Sequence, residues 1–470
     1  MSNNYFNNII VSGLPGIISI LLSFFSIPIY LSLISSDIYA NFLIQHFILS
    51  LGMFLNLNLG KFTSIKIQRL GTKQKKQIIF STLIISFILG VVVSAIVYSI
   101  IIFFSKNINY SYLNSSLFFG LFITIMFINV EFINKGLGYF KICSFLNFIF
   151  YAVSISLPAF FLLAQNHENN FSSNMFQISL YIKYFAFFLL ILLLIVKKKI
   201  LFSKINLSLI EDYKIHAKWM TITGIYNQIY DYIDKHLIKI NLGSLMLVTY
   251  SVPQQIAAKL TIFSQSIIAV LLPRLSKQKT ESNKRNILSA NIYFFFSLIG
   301  FLLLATLPFY DEVLYWWLKE SYNTDLLKLF KIFILLTLLA CLSSIIISFY
   351  EATLLAKKNT KYETLSIIPF IIGLFICVYL NNIFYFAILL FLKELILIFV
   401  RLFSVKNYIV NFNYFIFYIF TFILSFIFSI FNQELYSYLI SSIFLIILLI
   451  KIPYKLIMRE FFITKRFNYK

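Results

Sequence analysis

Ile78–Phe104 reads IIFSTLIISFILGVVVSAIVYSIIIFF, 27 residues without one Asp, Glu, Lys, Arg or His. A bilayer core about 30 Å thick is crossed by about 20 apolar residues in helical form. In lipid the backbone must satisfy its own hydrogen bonds, so a stretch of this kind is a helix. Six Lys and Arg crowd the 17 residues before it, KFTSIKIQRLGTKQKKQ (61–77). Working outward from this stretch, similar runs predict helices at about 9–34, 38–59, 78–104, 116–134, 142–163, 175–196, 219–241, 245–271, 287–308, 329–352, 364–380, 383–403, 412–431 and 435–452. The composition agrees: 60% of the 470 residues are hydrophobic and only 12% are charged. Soluble domains are nearer half apolar and a quarter charged, which leaves no room here for a sizeable soluble domain.

The net charge of +22 invites a nucleic-acid reading, but the placement of the charges excludes it. Thirty of the 39 Lys and Arg fall in one alternating set of loops or at their edges: 61–77, 135–141, 197–218, 273–285, 357–361, 401–406 and 451–470. The other set is nearly free of them. This is the positive-inside bias, and it predicts a multi-pass membrane protein with both termini cytoplasmic. The N-terminal MSNNYFNN has no basic n-region and no small-residue cleavage site, so the first apolar stretch reads as a retained span. Cys143, Cys341 and Cys377 lie in apolar stretches with no metal or disulfide spacing, and read as small buried hydrophobes.

The predicted fold is an all-α integral membrane protein of about 14 transmembrane helices. The longest basic loop, KKKILFSKINLSLIEDYKIHAK (197–218), divides it. Val11-Ser12-Gly13-Leu14-Pro15-Gly16 opens the first helix and Ile222-Thr223-Gly224-Ile225-Tyr226-Asn227 the seventh, a weak internal likeness. We therefore expect a six-helix lobe at 1–196, a basic cytoplasmic connector at 197–218, a second six-helix lobe at 219–405, and a terminal helix pair with a basic tail at 406–470.

Ionisable groups inside lipid are costly and normally face a bundle interior or a wet cavity. The seventh predicted helix, WMTITGIYNQIYDYIDKHLIKINLG (219–243), is the richest in them. At 100° per residue Asn227, Gln228, Asp231, Asp234, Lys235 and Lys239 share an arc of about 140°. The opposite face, with Ile225, Ile229, Tyr232, Ile233 and Ile240, is apolar. A short interfacial helix is one reading of this pattern. A polar stripe lining a solvated path fits the apolar back better. Asp231 and Lys235, four apart, can pair. The eighth helix repeats the theme with Ser251, Gln255 and Lys259, and Pro253 can kink it. Lys183 in the sixth helix and His46 in the second are further candidates for a cavity or a proton-linked role. Lys393 and Glu394 point about 100° apart and need other partners. No Gly-rich phosphate loop, HExxH or GxSxG is present, and the basic-poor loops are short, so no enzyme is expected.

Tyr230-Asp231-Tyr232-Ile233-Asp234-Lys235-His236-Leu237-Ile238, with Leu242-Gly243-Ser244 and Tyr250-Ser251-Val252 after it, resembles the centre of bacterial Wzx-type polysaccharide-lipid flippases. These belong to the multidrug, oligosaccharidyl-lipid and polysaccharide exporter superfamily. Leu271-Leu272-Pro273-Arg274-Leu275-Ser276 and Trp317-Leu318-Lys319-Glu320-Ser321-Tyr322 are similar to that family's motifs, as is Asn58-Leu59-Gly60, where Asn58 replaces a frequent acid. The resemblance implies two six-helix lobes around a central cavity that opens alternately to either side. It implies an undecaprenyl-diphosphate-linked oligosaccharide as cargo, an O-antigen or capsule repeat unit, with the lipid tail left in the bilayer. Lys235, Lys239, Lys259 and Lys183, with Asn227, Gln228 and Gln255, would line the diphosphate and sugar path. Asp231, Asp234 and His46 would balance charge or carry H⁺ or Na⁺. No cofactor, metal or nucleic acid is expected; the bilayer, the polysaccharide polymerase and the chain-length machinery are the expected partners. A cation-coupled multidrug exporter of the same fold, a peptidoglycan-precursor flippase and a membrane-bound polysaccharide polymerase are the alternatives.

Overall fold

A computed structural model describes residues 5–67, 71–105, 116–164, 171–198, 208–278, 280–319, 322–353 and 355–430, with isolated residues at 440, 453 and 455–457. Every regular element among them is helical: α1 (Tyr5–Leu33), α2 (Ser36–Leu55), α3 (Leu59–Ile67), α4 (Thr72–Ser105), α5 (Ser116–Gly136), α6 (Phe140–Phe148), α7 (Ser154–Ala164), α8 (Phe171–Lys198), α9 (Ser208–Leu242), α10 (Ser244–Ala258), α11 (Thr261–Lys277), α12 (Glu281–Thr306), α13 (Tyr310–Leu318), α14 (Thr324–Ala352), α15 (Ala356–Leu380), α16 (Ile383–Ser404) and α17 (Phe412–Ile430). Ten helical stretches among the described residues are long and apolar enough to cross a membrane. Thirteen of the fourteen expected helices coincide with these elements, singly or as broken pairs; the last, 435–452, falls almost wholly outside the described residues, as does 199–207 of the expected connector.

Two expected helices are interrupted, and a third is followed at once by a helix that was not expected. The second ends at Leu55 near its expected end, and α3 lies in the expected basic loop after the turn Asn56-Leu57-Asn58, where Leu57 (φ 56°) and Asn58 (φ 53°) are left-handed. Asn56 holds this turn, its Oδ1 accepting from the Asn58 N–H at 2.6 Å. The fifth contains a π-helical turn, Ile149–Val153, between α6 and α7. The eighth breaks not at Pro253, which lies inside α10, but at Lys259-Leu260. There the bonds tighten to the 3₁₀ pattern, Lys259 N–H to the Ile256 carbonyl (3.1 Å) and Leu260 N–H to the Ala257 carbonyl (3.0 Å).

The chain divides into two compact units, Ile18–Val248 and Thr249–Lys470 with Met1–Ile17. The sequence reading begins a second lobe at 219; in the structure α9 packs on α2 and α3, within the Ile18–Val248 unit. In the 18–248 unit α5 is central, packed on α2, α3, α4 and α8. Its Phe127 stacks on Phe150 with centroids 3.8 Å apart, in a core shared with Ile133, Cys143 and Leu190. Gly60 of α3 lies against the α5 backbone and donates its N–H to Asn129 Oδ1 at 2.8 Å. A Cβ there would come within 2.6 Å of the Asn129 backbone, so only glycine lets the two helices approach this closely.

In the other unit α14 is the buried axis, with α11, α12, α15, α16 and α17 around it. Outer helices expose their apolar faces: Phe87, Ile88 and Ile96 on α4, and Leu365, Ile368 and Phe375 on α15. Such continuous apolar exposure would be a liability in water and is the expected surface toward lipid.

Candidate functional site

α9 carries the polar stripe. Its 35 residues span about 52 Å. It is not among the ten apolar spans: charged and amide side chains, Asn227, Asp234, Lys235 and Lys239 among them, leave it far less apolar than they are. It ends at Gly243, whose φ of 87° no side-chain-bearing residue adopts easily, and α10 starts at the next residue.

Asp234 is fully buried and Lys235 nearly so, and the two approach to 3.6 Å. The Lys235 ammonium also lies over the Phe47 ring of α2, 4.9 Å from its centroid. The pairing expected for Lys235 was with Asp231; the side chains of Asp231 and Gln228 lie outside the described residues. One turn on, the half-buried Lys239 donates to Asn41 Oδ1 of α2 at 2.6 Å. Nearer the middle of α9, Thr221 ties it to the α2–α3 break, donating to the Leu57 carbonyl at 2.9 Å. The charged stripe thus lies against α2, and Asn227 is half-buried on the same helix.

Lys183 and His46 occupy the same unit. Lys183 is 3% exposed and donates to the Phe150 carbonyl at 3.2 Å, with its ammonium 4.4 Å from the Phe150 ring and 5.4 Å from that of Tyr151. The π-helical turn presents that carbonyl, which also accepts from Ser154 Oγ at 2.6 Å. His46 contacts Ser179 Oγ at 3.3 Å between the rings of Phe42 and Phe176. Glu131 of α5 is buried; it pairs with Lys135 at 2.6 Å and accepts from Asn147 at 2.6 Å.

On α10, Ser251 is buried and Gln255 half-buried, and Ser251 Oγ and Gln255 Nε2 make no hydrogen bond among the described residues. Lys259, one turn further, is half-buried in the α10–α11 break. The stripe expected at spacing four therefore holds two unused polar atoms and a cation at a point where the helix is interrupted. Broken membrane helices of this kind are tolerated where they line protein or water rather than lipid.

The sequence reading missed a second polar cluster, in the unit of α14–α16. Arg401 was counted with the basic loop 401–406, yet it is 1% exposed inside α16. Its guanidinium donates to Glu363 of α15, to Asn359 of α15 at 3.0 Å and to Glu394 of α16 at 3.4 Å. Lys393 pairs with the adjacent Glu394 at 3.1 Å, and Glu394 finds its other partner in Arg401. Four charges sum to zero there. The signal was available: Asn359 and Glu363 are four apart, Glu394 and Arg401 seven apart, so each pair shares a helix face.

The sequence matches no protein-family model, and no curated protein is significantly similar to it. The fold is that of exporters of the MATE type within the MOP superfamily. An outward-facing multidrug-resistance MATE family transporter of that superfamily is 15% identical, with TM-score 0.64 over 86% of this chain and 96% of that one. A MOP superfamily transporter from Pyrococcus furiosus, whose binding pocket of reverse polarity suggests a different function, is 14% identical, with TM-score 0.63 over 85% and 95%. A MATE protein in complex with MaL6 is 14% identical, with TM-score 0.61 over 87% and 98%. The chain is thus a multi-pass membrane protein with a transporter's fold.

Proposed function

We propose that this protein translocates an undecaprenyl-diphosphate-linked oligosaccharide, an O-antigen or capsule repeat unit, across a bacterial inner membrane by alternating access. The observation that carries the reading is the excess of lysine among the interior groups of the 18–248 unit. Lys183, Lys235 and Lys239 are buried or half-buried there against Asp234, while Glu131 is engaged by Lys135. Lys259 adds a cation at the α10–α11 break in the other unit. A diphosphate needs cations along a partly dehydrated path, where charge counts for more than in bulk water. The sugar needs hydrogen-bonding groups, which Asn227, Gln228, Gln255 and Ser251 supply. Asp234 and Asp231 balance the lysines when cargo is absent, and with His46 they are the groups on which an H⁺ or Na⁺ gradient would act. The fold suits a cation-coupled multidrug exporter equally well. An acid-dominated interior would suit cationic drugs; the lysines favour the anionic cargo.

Lys259 is the cleanest residue to test. Lys235 cannot be neutralised without removing the cation paired with the buried Asp234, whereas Lys259 makes no ion pair among the described residues. Hydrogen bonds to a charged partner are worth about 1.5–3 kcal/mol, about tenfold or more in rate or affinity. Lys259→Gln should therefore lower export of lipid-linked oligosaccharide at least about tenfold at unchanged membrane abundance, and Lys259→Arg should be milder. Normal export by an abundant Lys259→Gln protein would remove this lysine from the substrate path.

A further inference from the structure

We propose that the α12 start and the α16–α17 connection form a binding site for the phosphate headgroup of an anionic bilayer lipid. This site is separate from the transport path and does not depend on its assignment.

An open surface depression of about 650 Å³ lies between these two segments. Its polar lining is Arg285, Lys406, Asn407, Asn411 and Asn413. Two cations and three carboxamides face it, and no acid lines it. Neither Arg285 nor Lys406 makes an ion pair among the described residues. Glu281, one turn before Arg285, is already engaged by Lys284 at 3.0 Å and by the Tyr408 hydroxyl. Phe412, Tyr414 and Ile409 supply the apolar part of the wall.

The two segments are far apart in sequence, and part-buried hydrogen bonds hold them together. Ser289 Oγ donates to the Tyr408 carbonyl and accepts from the Val410 N–H, both at 2.9 Å. The Tyr293 hydroxyl donates to the Val410 carbonyl at 2.8 Å. Ser289 and Tyr293 are both buried in α12. Asn411, with φ 55°, then turns the chain into α17. The cavity is therefore built by the packing of α12 against the connection, before any ligand arrives.

Its position selects the ligand. α12 becomes apolar at Ile287, two residues after Arg285, and α17 is apolar almost from its first turn. The cations thus sit where the apolar spans begin, at the depth of lipid headgroups. Basic pockets between membrane helices at this level bind phosphate headgroups, each cation near the surface contributing about fivefold in affinity. A zwitterionic headgroup offers the same phosphate with its own cation attached and gains less.

The experiment uses the full chain, purified and equilibrated with vesicles of equal phosphatidylglycerol and phosphatidylcholine, with retained lipid read by native mass spectrometry. The wild type should retain phosphatidylglycerol preferentially. Arg285→Gln and Lys406→Gln should each lower that retention about fivefold, and the double variant should abolish the preference. Arg285→Lys, which keeps the charge, should retain it, as should Lys358→Gln, an exposed cation of α15 outside the cavity. Monodisperse elution of each variant separates lipid loss from unfolding. A double variant that retains phosphatidylglycerol like the wild type overturns the site. A parallel melting series separates the sources of phosphate. Phosphatidylglycerol should raise the midpoint of the wild type and not of the double variant; an equal rise with inorganic phosphate alone would overturn the lipid assignment in favour of a soluble ligand.

Discussion

Replacing Arg401 by methionine keeps most of the side chain's volume and deletes its charge. Arg401 is almost completely buried, and its three nitrogens reach Glu363, Asn359 and Glu394. Glu394 keeps Lys393 at 3.1 Å, but Glu363, also 1% exposed, loses the guanidinium that holds it. The cluster passes from neutral to a net charge of −1. Removing one partner of a buried ion pair costs about 3–5 kcal/mol, most of it the stranded charge. Unfolding entropy near 2.1 cal/mol/K per residue, applied to a unit of roughly 240 residues, converts this to a melting midpoint lower by about 6–10 °C. The assay is thermal melting of detergent-purified protein followed by loss of the monodisperse elution peak. Arg401→Met combined with Glu363→Leu removes both charges, and an apolar replacement of a whole buried pair is often neutral or stabilising. The double variant should therefore melt above Arg401→Met alone. A single variant within about 2 °C of the wild type, or a double variant whose loss is the sum of the two singles, would refute the pairing as what holds these helices.

Other expectations follow from the same geometry. Gly60→Ala forces a Cβ against the Asn129 backbone, and overpacking of this kind costs about 1–3 kcal/mol; melting or membrane abundance should fall, whereas unchanged values would mean that α3 and α5 part freely. Reporter fusions at 72, 205 and 280 should read cytoplasmic and those at 167 and 320 external; the reverse pattern would invert the topology. Lys183→Met should be tolerated for folding, because Ser154 still serves the Phe150 carbonyl, with a melting loss near that of one hydrogen bond, about 1 kcal/mol; a much larger loss would show that the ammonium holds the π-helical turn together.

The positions of the spans were legible because hydropathy integrates over 20 residues and lipid leaves the backbone no alternative to helix. The interruptions were not. A π-helical turn at Ile149–Val153 or a 3₁₀ step at Lys259 changes no composition, and Pro253, the visible marker, lies six residues before the real break. The stripe on α9 was legible from its period, since Asp234, Lys235 and Lys239 share one face. Its partners were not: a helical period names the face but not the helix it meets, and only packing pairs Lys239 with Asn41 and sets Lys235 over Phe47. Arg401 was misplaced for a related reason. Near a helix end a basic residue ordinarily reaches water, and the burying partners, Asn359 and Glu363, lie on another helix about 40 residues earlier.

The most direct test of the central claim is translocation by the purified protein in proteoliposomes, offered undecaprenyl-diphosphate-linked oligosaccharide on one leaflet and, in a parallel set, a cationic dye. The account predicts that the lipid-linked sugar crosses, that Lys259→Gln slows it at least about tenfold, and that the dye is not carried. Efflux of the dye with no movement of the lipid-linked sugar would contradict it, and would make the protein a multidrug exporter with lysines that serve its folding.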